Sequence, residues 1–289
     1  MEAAAMGRRM GALNGKVAIV TGGTSGIGEK IVEVFVEEGA QVVIAARRQA
    51  EGDALEKRLG ARFVRTDVSS EADVKTMVDR AVEWFGRVDC LVNNAGIPAP
   101  ITSVADMEVA DIERVLAVNI LGVMLATKHV ARVMLTQGTG SIINIGSVAA
   151  HRGGLSGHIY TSSKGAVLAF TRSAAAELGE KGIRVNSISP GAIVTGIFGK
   201  LAGVEASKAD RITDVVKERF ATLQPVPRAG ATDDIARAAL YLAGDGSSFV
   251  SGQDIVVDGG LTSVTRGWST MVALRAETSR SIKAAADSM

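Results

Sequence analysis

From Lys16 onward the chain alternates short β-branched runs with longer amphipathic segments, a rhythm that few folds can satisfy. Residues 16–21 (KVAIVT), 41–46 (QVVIAA), 61–66 (ARFVRT), 88–93 (VDCLVN), 141–146 (SIINIG), 184–189 (RVNSIS) and 254–259 (DIVVDG) read as strands. The spacing predicts helices over about 26–38, 49–59, 70–84, 106–137, 159–179, 210–223 and 232–243. Strands separated by helices pair in parallel, and near-continuous apolar strands need a helix layer on each face. The expectation is a single-domain α/β fold: a doubly wound, seven-stranded parallel sheet with helices on both faces. No Pro-, Gly- or Ser-rich linker breaks the alternation, so the 289 residues are read as one domain rather than two.

Three stretches stand outside that rhythm. Residues 1–15 read as a flexible arm, 16–262 as the folded unit, and 263–289 as a polar, partly helical tail. The tail's Met271, Leu274 and Ile282 are too sparse to bury themselves, so it packs on the body, packs on another subunit, or frays. Residues 190–210 form a long Gly- and Ala-rich loop, and the region to about 222 is read as a lid over a site.

Charge and cysteine usage exclude several classes. Lys and Arg number 32 against 31 Asp and Glu, leaving no basic surplus for a nucleic acid. No apolar run approaches the ~18 residues of a membrane span. A single cysteine, Cys90, rules out an intrachain disulfide and fits a reducing compartment, so a cytoplasmic location is expected. Arg8 and Arg9 lie in an arm without a signal-length apolar core; a mitochondrial address is the weaker alternative, because Glu2 does not suit it. His129, His151 and His158 lack the paired spacing of metal-binding helices, and no metal is expected.

The first strand runs through Thr21 into Gly22-Gly23-Thr24-Ser25-Gly26-Ile27-Gly28 and directly into a helix. Glycines there allow a tight turn, close backbone approach to a pyrophosphate and close helix packing, with phosphate on free N–H groups at a positive helix end. Dinucleotide binding is the expectation; a Gly-rich turn that binds nothing is the alternative. The second strand ends Ala45-Ala46-Arg47-Arg48, with no carboxylate for a ribose 2′-hydroxyl and two guanidiniums suited to a 2′-phosphate. NADP(H) is favoured, with NAD(H) open, since two surface arginines opening a helix would look the same.

A second constellation lies downstream. Tyr160 and Lys164, in Tyr160-Thr161-Ser162-Ser163-Lys164, share one helical face, and a nearby ammonium is expected to favour the phenolate. Ser147 ends the fifth strand at the sheet edge where parallel folds bind ligands. The fourth strand ends in Asn93-Asn94-Ala95-Gly96, and Asn119 lies within a long apolar helix, where a buried amide is costly unless partnered.

TGGTSGIG, NNAG, Asn119, Ser147, YTSSK and Pro190-Gly191 occur in the order of the short-chain dehydrogenase/reductase family, and the chain resembles that family from about residue 16 to 262. The resemblance implies a Rossmann-fold, NAD(P)-dependent enzyme that moves a hydride between the nicotinamide and a secondary alcohol or ketone. It implies Tyr160 as acid/base, Lys164 on the nicotinamide ribose and lowering the phenol's pKa, Ser147 polarising the substrate oxygen, and Asn119 holding a relay water. It also implies cofactor contacts at Gly22, Thr24, Ser25, Gly26, Ile27, Gly28 and Arg47, with Asp67 and Val68 at the adenine, Asn94, Ala95 and Gly96 beside the cofactor, and Pro190, Gly191, Ile193 and Thr195 toward the carboxamide. Pairing through 106–137 and 159–179 as a dimer or homotetramer, with VSGQDIVVDGG as a second contact, is implied in the same way. A non-catalytic sensor or scaffold of the same fold is the alternative function.

The remaining candidates are less specific. Cys90 reads as buried filler, His129 as structural or at a subunit contact, and Trp84 as core. His151 and His158 are near enough in sequence to Tyr160 to line a substrate mouth, with ordinary loop polarity as the alternative, and Phe198, Leu201 and Phe220 could form an apolar wall or simply anchor the lid.

Overall fold

A computed structural model describes residues 11–209, 214–264 and 267–287. Its centre is one seven-stranded sheet in the order β3-β2-β1-β4-β5-β6-β7, every pair parallel. The strands are β1 (Val17–Thr21), β2 (Gln41–Ala46), β3 (Arg62–Arg65), β4 (Cys90–Asn93), β5 (Gly140–Ile145), β6 (Ile183–Pro190) and β7 (Asp254–Val257). Register alignment sets Val20 beside Ile44 on one side and Val92 on the other.

Side chains alternate across the sheet, and both faces are covered. Ala18, Val20, Cys90, Val92, Ile143 and Ile145 join one core with Ile31, Val32 and Phe35 of α1 (Gly26–Glu37) and Ile235, Ala239 and Leu242 of α10 (Thr232–Ala243). Ile19, Leu91, Ile142 and Val185 face the other core, with Met77 of α3 (Glu71–Phe85), Met134 of α5 (Gly122–Gln137) and Leu178 of α6 (His158–Gly179). Because each strand presents apolar atoms to both layers, its sequence shows an unbroken apolar run. Helix α2 (Gln49–Leu59) adds Leu55 at the sheet edge.

Local chemistry sets the element ends. Ser70 caps α3 by accepting from the Asp73 N–H, and the chain leaves α1 through Gly39 at φ +88°, a conformation that favours glycine. The seventh strand stops at Val257 rather than 259 because the Asp258 carboxylate accepts from the N–H groups of Gly260 and Thr262, both at 2.8 Å, and turns the chain.

The helix expected over 106–137 is not continuous. Helix α4 (Val109–Leu116) passes into a π-helical turn, Ala117–Leu121, before α5 begins. The loop expected at 190–210 contains the short helices α7 (Ile197–Leu201) and α8 (Ala206–Ala209). The helix expected at 210–223 is α9 (Asp214–Ala221), with 210–213 outside the described residues. The tail forms one helix, α11 (Trp268–Asp287), with its described side chains exposed, including Trp268, Leu274 and Ile282. No described helix is long and apolar enough to cross a membrane. Most of the arm expected at 1–15 lies outside the described residues.

Candidate active site

Strand order reverses between β1 and β4, and there a cleft of about 610 Å³ opens at the carboxyl ends of the strands. Thr21, the last residue of β1, stitches the two loops at the reversal. Its Oγ1 accepts from the N–H groups of Asn94 (3.0 Å) and Ala95 (3.1 Å), while Asn94 Nδ2 donates to the Thr21 carbonyl at 2.9 Å. Gly22 sits at φ +65°, where an added Cβ would lie 2.8 Å from the Ala95 Cα.

The glycine loop fits a dinucleotide. Ser25, at the N-cap of α1, makes no side-chain capping hydrogen bond, and Gly22, Thr24, Ser25, Gly26 and Ile27 all line the cleft. The first-turn donors of α1 are thus available to a phosphate at the positive end of a twelve-residue helix. Gly28 does not line the cleft. A Cβ there would fall 2.3 Å from the Gly22 carbonyl oxygen, so Gly28 serves the close approach of α1 to its own loop.

The two arginines after β2 separate. Arg48 Nη2 donates to the Thr24 carbonyl at 3.1 Å and pairs with Glu51 at 3.3 Å, bracing the glycine loop. Arg47 is exposed and lines the cleft beside Asp67 and Val68. The Asp67 carboxyl is held below the usual carboxylate range, chiefly by the Ser69 hydroxyl, with Arg47 and Arg65 adding to the effect.

Tyr160, Lys164 and Ser147 meet on the floor of the cleft. The Tyr160 hydroxyl faces Ser147, whose Oγ accepts from the Ala149 N–H at 3.2 Å. Burial pushes the phenol up to about 12, and the Ser147 hydroxyl works against it. Lys164 is 5% exposed, its Nζ donates to the Ile145 carbonyl at 2.7 Å, and burial pulls it down to about 8. Nζ stands 5.7 Å from the Tyr160 ring centroid, its hydrogen bond goes to the backbone, and desolvation decides both directions.

Asn119 sits at the centre of the π-helical turn, is fully buried and does not line the cleft. Its Oδ1 accepts from the Ile97 N–H at 2.9 Å, and its Nδ2 donates to the Ile97 carbonyl and the Ser163 hydroxyl, each at 3.1 Å. Through these bonds the side chain shapes the 94–97 loop.

The other expected residues, Asn94, Ala95, Gly96, Pro190, Gly191, Ile193 and Thr195, line the cleft. Neither His151 nor His158 does. His151 reaches Asp254, and His158 is exposed at the start of α6. Cys90 is buried, with its thiol pushed up to about 12, and His129 meets Glu71 at 3.0 Å. Phe198 and Phe220 pack edge to face, centroids 4.6 Å apart, and with Leu155, Leu223 and Leu261 form an apolar wall. Of Leu201 only the backbone is described. Sequence reading missed Thr21, Ser163 and the Arg48 brace; the one available signal was a polar residue closing an otherwise apolar strand. Among the described residues no His, Cys, Asp and Glu cluster could hold a metal.

Residues 22–262 match a family model described as enoyl-(acyl carrier protein) reductase. The chain is 44% identical over 262 residues to (+)-borneol dehydrogenase 2 of Salvia officinalis, covering 87% of this chain and 90% of that one. It is 43% identical over 262 residues to tropinone reductase-like 1 of Erythroxylum coca, covering 87% and 92% respectively. To secoisolariciresinol dehydrogenase of Forsythia intermedia it is 41% identical over 254 residues, covering 86% and 90%.

Proposed function

Because the chain belongs to the short-chain dehydrogenase/reductase family of oxidoreductases, we propose that it moves a hydride between NADP(H) and a neutral, apolar secondary alcohol or ketone. The observation that carries the proposal is that Ser147, Tyr160 and Lys164 line the same cleft as the glycine loop and Arg47.

A nicotinamide bound here supplies or accepts the hydride. Tyr160 gives its proton to the substrate oxygen in reduction and takes it back in oxidation, a step worth ~10²–10⁴-fold. Held protonated by burial, the phenol is a donor, the role ketone reduction asks of it. Ser147 donates a hydrogen bond to the same oxygen, and Lys164 is placed for the cofactor's ribose. Gly22, Thr24, Ser25, Gly26 and Ile27 would take the pyrophosphate, Asp67 and Val68 the adenine, and Pro190, Gly191, Ile193 and Thr195 the carboxamide. Arg47 would face a 2′-phosphate, which favours NADP(H) over NAD(H). Asn94, Ala95 and Gly96 close the inner side of the cleft. Leu155, Phe198, Phe220, Leu223 and Leu261 bring apolar side chains to the cleft, which supports an uncharged, bulky substrate. Relatives named for borneol and tropinone agree with that class.

The body over 16–262 acts as the catalytic unit in this reading, in the cytoplasm and as a dimer or tetramer. Support for assembly comes from exposed Val109, Leu121, Met124 and Leu135 along α4, the π-helical turn and α5, and from exposed Tyr241, Phe249 and Val256 in and near β7. The test is to follow NADPH absorbance with camphor and tropinone as ketones, beside Tyr160→Phe. Turnover in the native enzyme and a loss of at least ~100-fold in the variant are expected. Turnover that survives Tyr160→Phe overturns the assignment, and NADPH binding without turnover of any ketone returns the protein to a sensor role.

A further inference from the structure

We propose that His151 and Asp254 are positioning residues for Ser147, closing the loop between β5 and α6 into a ring; the proposal rests on the oxidoreductase reading above. After β5 the chain passes Gly146 and Ser147, makes a single 3₁₀ turn at Val148–Ala150 and arrives at His151. Both ends of this segment rest on β6. The Gly146 N–H donates to the Ile188 carbonyl at 2.7 Å, and a Cβ at 146 would lie only 2.7 Å from Ser189 Oγ. At the other end, His151 Nε2 stands 3.3 Å from that same hydroxyl and 2.7 Å from Asp254 Oδ2.

Asp254 is the anchor of the ring. Its Oδ1 accepts from Ser187 at 2.5 Å and from Ser189 at 3.0 Å. Both serines are essentially fully buried within β6, where an unpaired hydroxyl is costly, so the carboxylate satisfies two hydroxyls and a ring nitrogen together. An ionised carboxylate only accepts, so Nε2 carries the proton and donates. His151 does not line the cleft, and its contacts run to β6 and β7; its effect on chemistry must pass through Ser147. Ser147 lies inside the ring, its Oγ oriented by the Ala149 N–H. A displacement of ~1 Å of such a group can cost ~100-fold in rate, which is why a loop bearing it is worth clamping at both ends.

The test compares His151→Ala with His151→Gln, which keeps a side-chain N–H donor toward Asp254, and with Ser147→Ala. Two quantities are read: amide hydrogen exchange of residues 146–152 in the ligand-free protein, and kcat and KM with NADPH and camphor. In His151→Ala, faster exchange confined to 146–152 is expected, with kcat down ~10-fold and KM for NADPH unchanged. His151→Gln should restore most of both. Unchanged exchange over 146–152 in His151→Ala, or faster exchange spread equally over α1 and α10, overturns the ring whatever the turnover. If His151→Ala does not fold, Asp254→Asn carries the same two measurements. Should Ser147→Ala turn over as the native enzyme does, the role given to Ser147 fails, while the exchange data still decide the ring.

Discussion

Lys164 donates through Nζ to the carbonyl of Ile145 at 2.7 Å, the last residue of β5 and two before Ser147. The bond fixes the amine under the cleft against a backbone carbonyl, and desolvation draws it down to about 8. Tyr160, one turn earlier, is driven the other way, to about 12.

That displacement makes stability depend on pH. The folded protein releases the Lys164 proton near 8, the unfolded chain only near the ordinary 10.5. Between those values unfolding takes up a proton, so the contribution rises with pH and is lost as pH falls through 8. At ~1.4 kcal/mol per pH unit the swing is about 3 kcal/mol. Urea unfolding from pH 7 to 10 should show native stability gaining on Lys164→Met by about 2–3 kcal/mol, the Cys90 and Tyr160 contributions cancelling in the comparison. Parallel curves would show that Lys164 titrates at its ordinary value.

Asn119 gives a test of packing within the π-helical turn. Its amide exchanges two hydrogen bonds with the Ile97 backbone and a third with Ser163. Asn119→Leu keeps the volume and leaves those groups unpaired, at ~1–3 kcal/mol for each that water cannot reach. Chemical denaturation should find the variant about 2–4 kcal/mol less stable. A loss below about 0.5 kcal/mol would mean that solvent already serves Ile97.

Residues differ in how far the sequence revealed them. Ala18, Ile19 and Val20 were legible as strand because each is apolar whichever face it meets, and the parallel order followed from the helices between. The π-helical turn was not, because one extra residue in a helix leaves no mark on apolar spacing; the only sign was the costly amide of Asn119. His151 was misdirected toward the substrate by its closeness to Tyr160 in sequence. Its partner, Asp254, is 103 residues away, and only the register of β6 against β7 brings it near. The i, i+4 spacing placed Tyr160 and Lys164 on one face correctly, but depth below the surface sets how each titrates.

Cofactor choice is tested at Arg47. Arg47→Asp should weaken NADPH binding ~10–100-fold and strengthen NADH binding, because a carboxylate there repels a 2′-phosphate and accepts from a 2′-hydroxyl. Arg48→Ala should weaken both alike, since its guanidinium braces Thr24. Fluorescence titration with each nucleotide reads both effects. An unaltered NADPH-to-NADH ratio in Arg47→Asp would place discrimination elsewhere.

Phe198 and Phe220 test the substrate wall. Their rings meet at 78° with centroids 4.6 Å apart, one from α7 and the other from α9, so each holds the other against the cleft. Truncating Phe198 removes its own apolar surface from the substrate and the support of Phe220, together worth ~1–3 kcal/mol to a ligand large enough to touch both. Since ~1.4 kcal/mol is tenfold, KM for camphor should rise ~10-fold or more in Phe198→Ala. Acetone is too small to reach the wall while its oxygen sits between Ser147 and Tyr160, and its kcat/KM should change less than ~2-fold. Steady-state kinetics with the two ketones separates the roles: equal losses for both would make the aromatic pair a support for the fold of 190–222, and a loss confined to camphor makes it the surface that measures substrate size.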